Sequence, residues 1–121
     1  MKITRAILIC GLVSGAFVFQ APAASLSGQV GNKRYTVQFN PSQPTNPCKK
    51  AYDAYIKAGG HSAYAQTPSG RLAHAEASFC GVALNAPSEA AAKERAVANC
   101  KRTGEKYKVK TAGRCEVYVS K

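Results

Sequence analysis

The sequence predicts a small α+β domain, an antiparallel sheet with two helices on one face, of which the ferredoxin-like βαββαβ arrangement is one form. Two segments have the capping residue and apolar stripe of an amphipathic helix, and several short segments alternate polar and apolar residues as strands do. Turns rich in Pro and Gly connect them. A chain of 121 residues suffices for one such domain and not for two.

The N-terminal segment has the layout of a secretory signal peptide. Lys2 and Arg5 precede an uncharged apolar run, residues 7–19, and Ala21-Pro22-Ala23 is a small-x-small cleavage site. The run is shorter than the roughly 20 residues that span a bilayer, so a retained anchor is the weaker alternative. The predicted organisation is a signal peptide over 1–23, a flexible leader over 24–33 and a single disulfide-linked domain over 34–121, in the periplasm or secreted.

The first helix follows a predicted strand over 34–39, in which Tyr35, Val37 and Phe39 alternate with polar residues. Asn46 is a good N-cap, and Pro47 suits the first helical position because its missing N–H costs nothing there. We expect the helix to end at Gly59-Gly60, with glycine in the left-handed conformation. Its apolar stripe consists of Cys48, Ala51, Tyr52, Tyr55 and Ile56.

The second half is predicted to contain two strands, a second helix and a final strand. Strands are predicted over 61–65 and 78–84, the latter with Cys80, Val82 and Leu84 on its core-facing side, while residues 71–77 fit either helix or strand. A second helix begins after Ser88, buries Ala92, Ala96, Val97 and Cys100, and ends at Gly104. Alternation predicts a final strand from Cys115 and an extra short strand over 106–110.

Four cysteines lie beyond the predicted cleavage site, an even number that indicates disulfides in a short exported chain. Their spacing alone leaves three pairings open. The predicted architecture favours two pairs. A helix packed on the sheet brings Cys48 to the core-facing side of the strand that contains Cys80. The end of helix 2 and the start of the last strand lie at one edge, which favours Cys100 with Cys115.

Residues suited to catalysis are present but lack the spacing of a known site. His61, Ser62 and His74 raise the possibility of a serine hydrolase, Cys80 with His74 that of a thiol nucleophile, and the two histidines with Glu76 that of a metal site. The sequence contains no GxSxG elbow and no CxxC or HxxxH spacing. We therefore predict no catalytic residue, no metal and no cofactor.

The charge of the chain is its strongest functional signal. Without Lys2 and Arg5, the 17 basic residues become 15 against 6 acidic ones, a net charge of +9. Such a surplus attracts phosphate, sulfate or carboxylate polymers, although it also serves merely to keep a small protein soluble. If 106–110 is extended, Lys106, Lys108 and Lys110 project from one face and dominate this binding. The candidate anion-binding residues are Lys101, Arg102, Lys106, Lys108, Lys110 and Arg114.

Four short segments are distinctive: Gly60-His-Ser-Ala-Tyr-Ala65, Cys80-Gly81, Asn85-Ala-Pro-Ser88 and the closing Cys115…Ser120-Lys121. Through them residues 46–121 resemble a group of small exported alphaproteobacterial proteins, most of them uncharacterised. Some carry the label 5-aminolevulinic acid synthase, an activity of much larger pyridoxal-phosphate enzymes whose Schiff-base lysine context is absent here. The resemblance implies export in a Gram-negative bacterium and assigns no functional residue.

Three hypotheses follow. The leading one is an exported, non-enzymatic basic domain that binds an anionic envelope component, either a polymer or lipid headgroups. The second is an inhibitor or accessory subunit of another exported protein. The third is a small hydrolase that uses His61 or His74. Aromatic residues are sparse among the cations, so the sequence predicts no specific nucleic-acid recognition.

Overall fold

The computed structural model describes residues 24–68, 77–108 and 110–121, and the predicted signal peptide lies outside them. Two helices and one four-stranded antiparallel sheet, of strand order β1-β4-β2-β3, confirm the predicted α+β class. The ferredoxin-like order is not confirmed, because β1 is a two-residue edge strand and the central pair is β4 and β2. The elements are β1 (Asn32–Lys33), α1 (Pro47–Lys57), β2 (His61–Gln66), β3 (Cys80–Ala86), α2 (Glu89–Tyr107) and β4 (Glu116–Ser120).

The two helices cover opposite faces of the sheet, and the prediction that they share one face was wrong. Successive strand residues point to opposite faces. In β3, Cys80 is bonded to Cys48 of α1, whereas a Cβ added to the next residue, Gly81, would meet the backbone of α2. In β2, Tyr64 packs in the cluster that contains Tyr55 of α1, and Ala63 and Ala65 pack in the cluster that contains the buried alanines of α2. The sheet is therefore the middle of three layers.

Helix α1 begins as predicted and ends differently. The side chain of Asn46 accepts a hydrogen bond from the backbone N–H of Cys48 at 2.9 Å, with Pro47 at the first helical position. The helix stops at Lys57, and Ala58 is extended with φ −62° and ψ 132°. The N–H of Ala58 donates to carbonyls of the last turn, so no left-handed glycine is needed there.

Helix α2 begins at the predicted cap, where the Ser88 hydroxyl accepts from the N–H of Ala91 at 3.1 Å. Gly104 does not end the helix, which continues to Tyr107 and closes with Lys108 at φ 51°. The last turn is held by the ring of Tyr107, which stacks on Phe79 with centroids 5.9 Å apart. The extra strand predicted over 106–110 is therefore wrong for residues 106–108, which form the end of α2 and its cap; Val109 lies outside the described residues.

The segment expected to be a flexible leader is attached to the domain. The N–H groups of Leu26 and Gly28 donate to the carbonyls of Gly59 and Ile56 at 2.9 and 2.7 Å. The ammonium group of Lys121, itself 5 % exposed, donates to the carbonyl oxygens of Leu26, Ile56 and Gln29 at 2.9, 3.1 and 3.3 Å. These contacts between the two ends of the domain have no local sequence signature.

The strand predicted over 34–39 does not form, because regular pairing of β1 with β4 ends at Lys33. Val37 and Phe39 still turn inward and pack against the tyrosine cluster, and the ring of Phe39 lies 5.8 Å from that of Tyr52. The alternating pattern of residues 34–39 thus reflects burial of an extended segment and not strand pairing. In β3, Cys80 and Val82 face the core as predicted, whereas Leu84 is 42 % exposed.

Both predicted disulfides are present. Cys48–Cys80 joins α1 to β3, with Cα atoms 5.7 Å apart, and Cys100–Cys115 joins α2 to the residue before β4, with Cα atoms 6.0 Å apart. Each pair thus fixes one helix to the sheet, on opposite faces. Among the described residues, no helix has the length and apolar character that a membrane span requires.

Candidate anion-binding groove

The predicted basic residues are exposed, but those on α2 do not share one face. A helix turns by about 100° per residue, so Lys101 and Arg102 point in clearly different directions. Lys106 lies about 40° from Arg102 and on the opposite flank from Lys101. Lys101 lies about 80° from Lys93, which is eight residues earlier in the helix. The cations of α2 that are close in sequence therefore point in different directions from the helix axis.

The contacts of α2 show which flank meets which edge of the sheet. Glu89 bonds to Asn32 of β1 and Ser120 of β4, whereas the side-chain amide of Asn99 donates to the carbonyl of Val82 in β3 at 2.9 Å. The flank with Lys93 therefore faces the β4–β1 edge. The flank with Arg102 and Lys106 faces the β3 edge.

A shallow groove of about 250 Å³ opens between α2 and the β4–β1 edge. Its cations are Lys33 and Arg34, which end and follow β1, and Lys93 of α2. Only Lys93 has an acidic neighbour among the described residues, with 3.8 Å between its Nζ and Oε1 of Glu89. The guanidinium of Arg34 lies over the ring of Tyr35, 5.2 Å from its centroid. The groove lining consists of Asn32, Lys33, Arg34, Lys93, Val117 and Ser120.

Glu89 bonds to two of the residues that line this groove. Its Oε1 accepts from Nδ2 of Asn32 at 2.8 Å and from the hydroxyl of Ser120 at 2.7 Å, which joins α2 to the edge strand β1 and to its neighbour β4. These hydrogen bonds, first that of Asn32, hold the pKa of the Glu89 carboxyl below its usual value. Desolvation opposes these hydrogen bonds with a smaller effect, and the charges of Lys93 and His61 add still smaller effects that lower the pKa.

The Cys100–Cys115 disulfide brings two of the predicted basic residues, Lys101 and Arg114, near each other. Lys101 follows Cys100, and Arg114 precedes Cys115. Because the bonded Cα atoms are 6.0 Å apart, the Cα atoms of Lys101 and Arg114 lie within about 14 Å of each other. Arg114 is almost fully exposed, with its Nε 3.8 Å from a carboxylate oxygen of Glu116. Lys101 and Arg114 are therefore held near each other, outside the groove lining.

The residues considered for catalysis are not brought together in the described structure. The Ser62 side chain is fully buried, and its hydroxyl donates to the carbonyl of Gly60 and accepts from the N–H of Asn85. Cys80 is in a disulfide, and His61 is exposed on the first residue of β2. His74 and Glu76 lie outside the described residues. No group of three potential metal ligands occurs in residues 24–68, 77–108 and 110–121.

The distinctive segment around Gly60 has a structural role here. Asn85 has a positive φ of 53°, and its side-chain oxygen accepts from the N–H of Gly60 at 2.8 Å. A Cβ on Gly60 would come within 2.8 Å of that oxygen, so glycine keeps this contact possible.

Comparison of the chain with family models, curated proteins and solved structures found no match.

None of the three groove cations was among the residues predicted to bind anions. Lys33 was assigned to the leader and Arg34 to a strand, and Lys93 was given no role. The local signals were the adjacent pair Lys33-Arg34 and the i, i+4 spacing of Glu89 and Lys93. No local pattern in the sequence shows that these two signals lie beside each other in the fold, because they are more than fifty residues apart in the chain.

Proposed function

We propose that this chain is an exported, non-enzymatic binding domain for an anionic component of the cell envelope, and that the groove between α2 and β1 is its binding site. The supporting observation is the convergence of Lys33, Arg34 and Lys93 from two distant segments on one groove. Oriented N–H donors with positive charge suit phosphate, sulfate and carboxylate groups.

The surrounding charge favours the same ligand class. Lys101 and Arg114 are further exposed cations outside the groove lining, and a polymer longer than the groove can meet them. Individual exposed ion pairs contribute about 1 kcal/mol or less, and such a surface therefore binds a polyanion through several contacts at once. This type of binding weakens as the salt concentration rises.

The test is the salt dependence of binding to a sulfated polysaccharide. In the groove variant Lys33→Gln/Arg34→Gln/Lys93→Gln, we expect the slope of log Kd against log salt concentration to fall by about two to three, since each anionic contact contributes slightly less than one. The matched control Lys50→Gln/Lys57→Gln/Arg95→Gln removes the same charge from exposed positions outside the groove and should leave most of that slope intact.

A third variant separates the groove from the end of α2. Lys106→Gln/Lys108→Gln/Lys110→Gln tests the earlier prediction that these three lysines dominate binding. If this variant loses retention and the groove variant does not, the groove proposal is wrong. An equal loss in the groove variant and its control would show that net charge alone attracts the polymer. A stoichiometric complex with an envelope protein that persists at high salt would instead support an accessory-subunit role.

A further inference from the structure

The groove also contains neutral polar groups, and their hydrogen-bond directions restrict the ligand. Asn32 and Ser120 both line it, and both donate to the same oxygen of Glu89. A carboxylate only accepts, so its contact with Asn32 identifies the nearer atom as the amide nitrogen. The proton of Ser120 is likewise used in its bond to Glu89.

These two neutral groups therefore present acceptor oxygens to a ligand, together with the second N–H of the Asn32 amide. Oδ1 of Asn32 has no hydrogen-bond partner among the described residues, and the Ser120 oxygen has lone pairs but no second proton. The side-chain donors in the groove lining that remain for a ligand are the groups of Lys33, Arg34 and Lys93 and the second N–H of the Asn32 amide. The groove thus pairs cationic donors with neutral acceptors, and Val117 gives it a small apolar surface.

We infer that the anionic ligand is a carbohydrate, with carboxylate or sulfate groups for the cations and hydroxyl groups for the acceptor oxygens. This inference rests on the proposed function and names its substrate class. A polyphosphate chain meets the three cations equally well, but along its length it has no hydroxyl to donate to Asn32. In this scheme Glu89 is a positioning residue, because it orients Asn32 and Ser120 without contact with the ligand.

The experiment compares two probes on the mature domain: an oligogalacturonate, which has carboxylates and hydroxyls, and a polyphosphate of equal total charge. Titration calorimetry at one salt concentration should give about tenfold tighter binding of the oligogalacturonate, the effect of one to two net hydrogen bonds. Asn32→Ala should bring the ratio of the two Kd values close to one. Gln38→Ala, which removes an exposed amide outside the groove lining, should leave the ratio unchanged.

Glu89→Ala provides a second variant, which keeps Asn32 but removes the carboxylate oxygen that accepts from its amide. Loss of the negative charge should strengthen binding of both probes, while the ratio falls because the Asn32 amide is no longer held in one orientation. Equal affinity of the unmodified domain for both probes, or an unchanged ratio in both variants, overturns the carbohydrate inference and leaves the anion-binding proposal intact. If the groove-cation variant binds both probes as tightly as the unmodified domain, the proposed function itself fails.

Discussion

The two faces of the sheet are packed by opposite means. Alanines dominate the α2 face, where Ala63, Ala65, Ala92 and Ala96 are all fully buried. The α1 face is dominated by tyrosines, with Tyr55 and Tyr64 fully buried and Tyr118 nearly so. Small side chains allow a helix backbone to approach the strands closely, whereas tyrosines fill a wider gap.

The difference extends to the polar groups. Each fully buried tyrosine hydroxyl has a partner: Tyr64 donates to Oε1 of Gln66 at 2.9 Å and Tyr55 to the carbonyl of Val30 at 2.5 Å. Burial raises the pKa of both phenols, so they stay neutral donors over the physiological range. The tyrosine face thus depends on volume and hydrogen bonds, whereas the alanine face depends on close backbone approach, which leaves no room for a side chain at Gly81.

The largest expected effect tests this close approach. In Gly81→Ala, the new Cβ would meet backbone atoms of Cys100 and Ala96 and lie 2.8 Å from the carbonyl carbon of Asn99. No side chain can move aside, so α2 must shift as a whole. We expect the free energy of unfolding to fall by more than about 4 kcal/mol, a large share of the stability of a small domain. Urea denaturation followed by circular dichroism measures it.

Gly104→Ala is the matched control in the same helix. There an added Cβ meets only the ring of Phe79, at an ordinary 3.4 Å, and alanine favours the helix by up to about 1 kcal/mol. This variant should therefore be slightly stabilised. If Gly81→Ala unfolds at the same urea concentration as the unmodified protein, α2 does not lie against β3 as described, and the contrast between the two faces disappears.

The two disulfides allow a second comparison of the two faces of the sheet, because each attaches one helix to one face. They close loops with sequence separations of 32 and 15 residues. The chain-entropy estimate gives about 3.7 kcal/mol for Cys48–Cys80 and about 3 kcal/mol for Cys100–Cys115. By this estimate Cys48→Ala/Cys80→Ala should be the less stable of the two double variants, measured by urea denaturation.

The opposite order would show that packing outweighs loop length. Cys100 is fully buried in the alanine face, whereas Cys48 and Cys80 are half-buried beside the tyrosines. A greater loss in Cys100→Ala/Cys115→Ala would therefore mean that the tightly packed face is the more sensitive to a missing sulfur atom.

Most features set by contacts between neighbouring residues were predicted correctly, whereas most features set by contacts between distant segments were not. The starts of both helices were predictable because Asn46, Pro47 and Ser88 act within one turn. The disulfide pairs followed because they need only the approximate position of a helix end beside a strand. The assignment of both helices to one face failed, because an apolar stripe shows that a helix is buried but not on which side of the sheet.

Contacts across long stretches of chain explain the other errors. Gly104 resembles a helix end, yet Phe79 and Tyr107 hold the turn that follows it. The leader resembles a loose tail, yet Lys121 binds Leu26, 95 residues away. The candidate site was sought where cations are adjacent in sequence, whereas the groove combines Lys33 and Lys93 from separate elements. Such sites become visible only when the strand order is known.

The smallest expected effect concerns Glu89, the polar exception on the alanine face and the residue that joins α2 to β1 and β4. Its pKa in the folded protein is below its usual value of about 4.5, so the carboxylate stabilises the fold above that pH. The contribution is lost as the pH falls from about 4.5 through the pKa of the folded state. It is modest, because about a third of the side chain is exposed and solvent weakens its contacts. Glu89→Gln should flatten the fall of the melting temperature in this acid range, whereas the exposed control Glu94→Gln should retain it. A parallel fall in both variants would show that Glu89 does not hold the β1–β4 edge to α2.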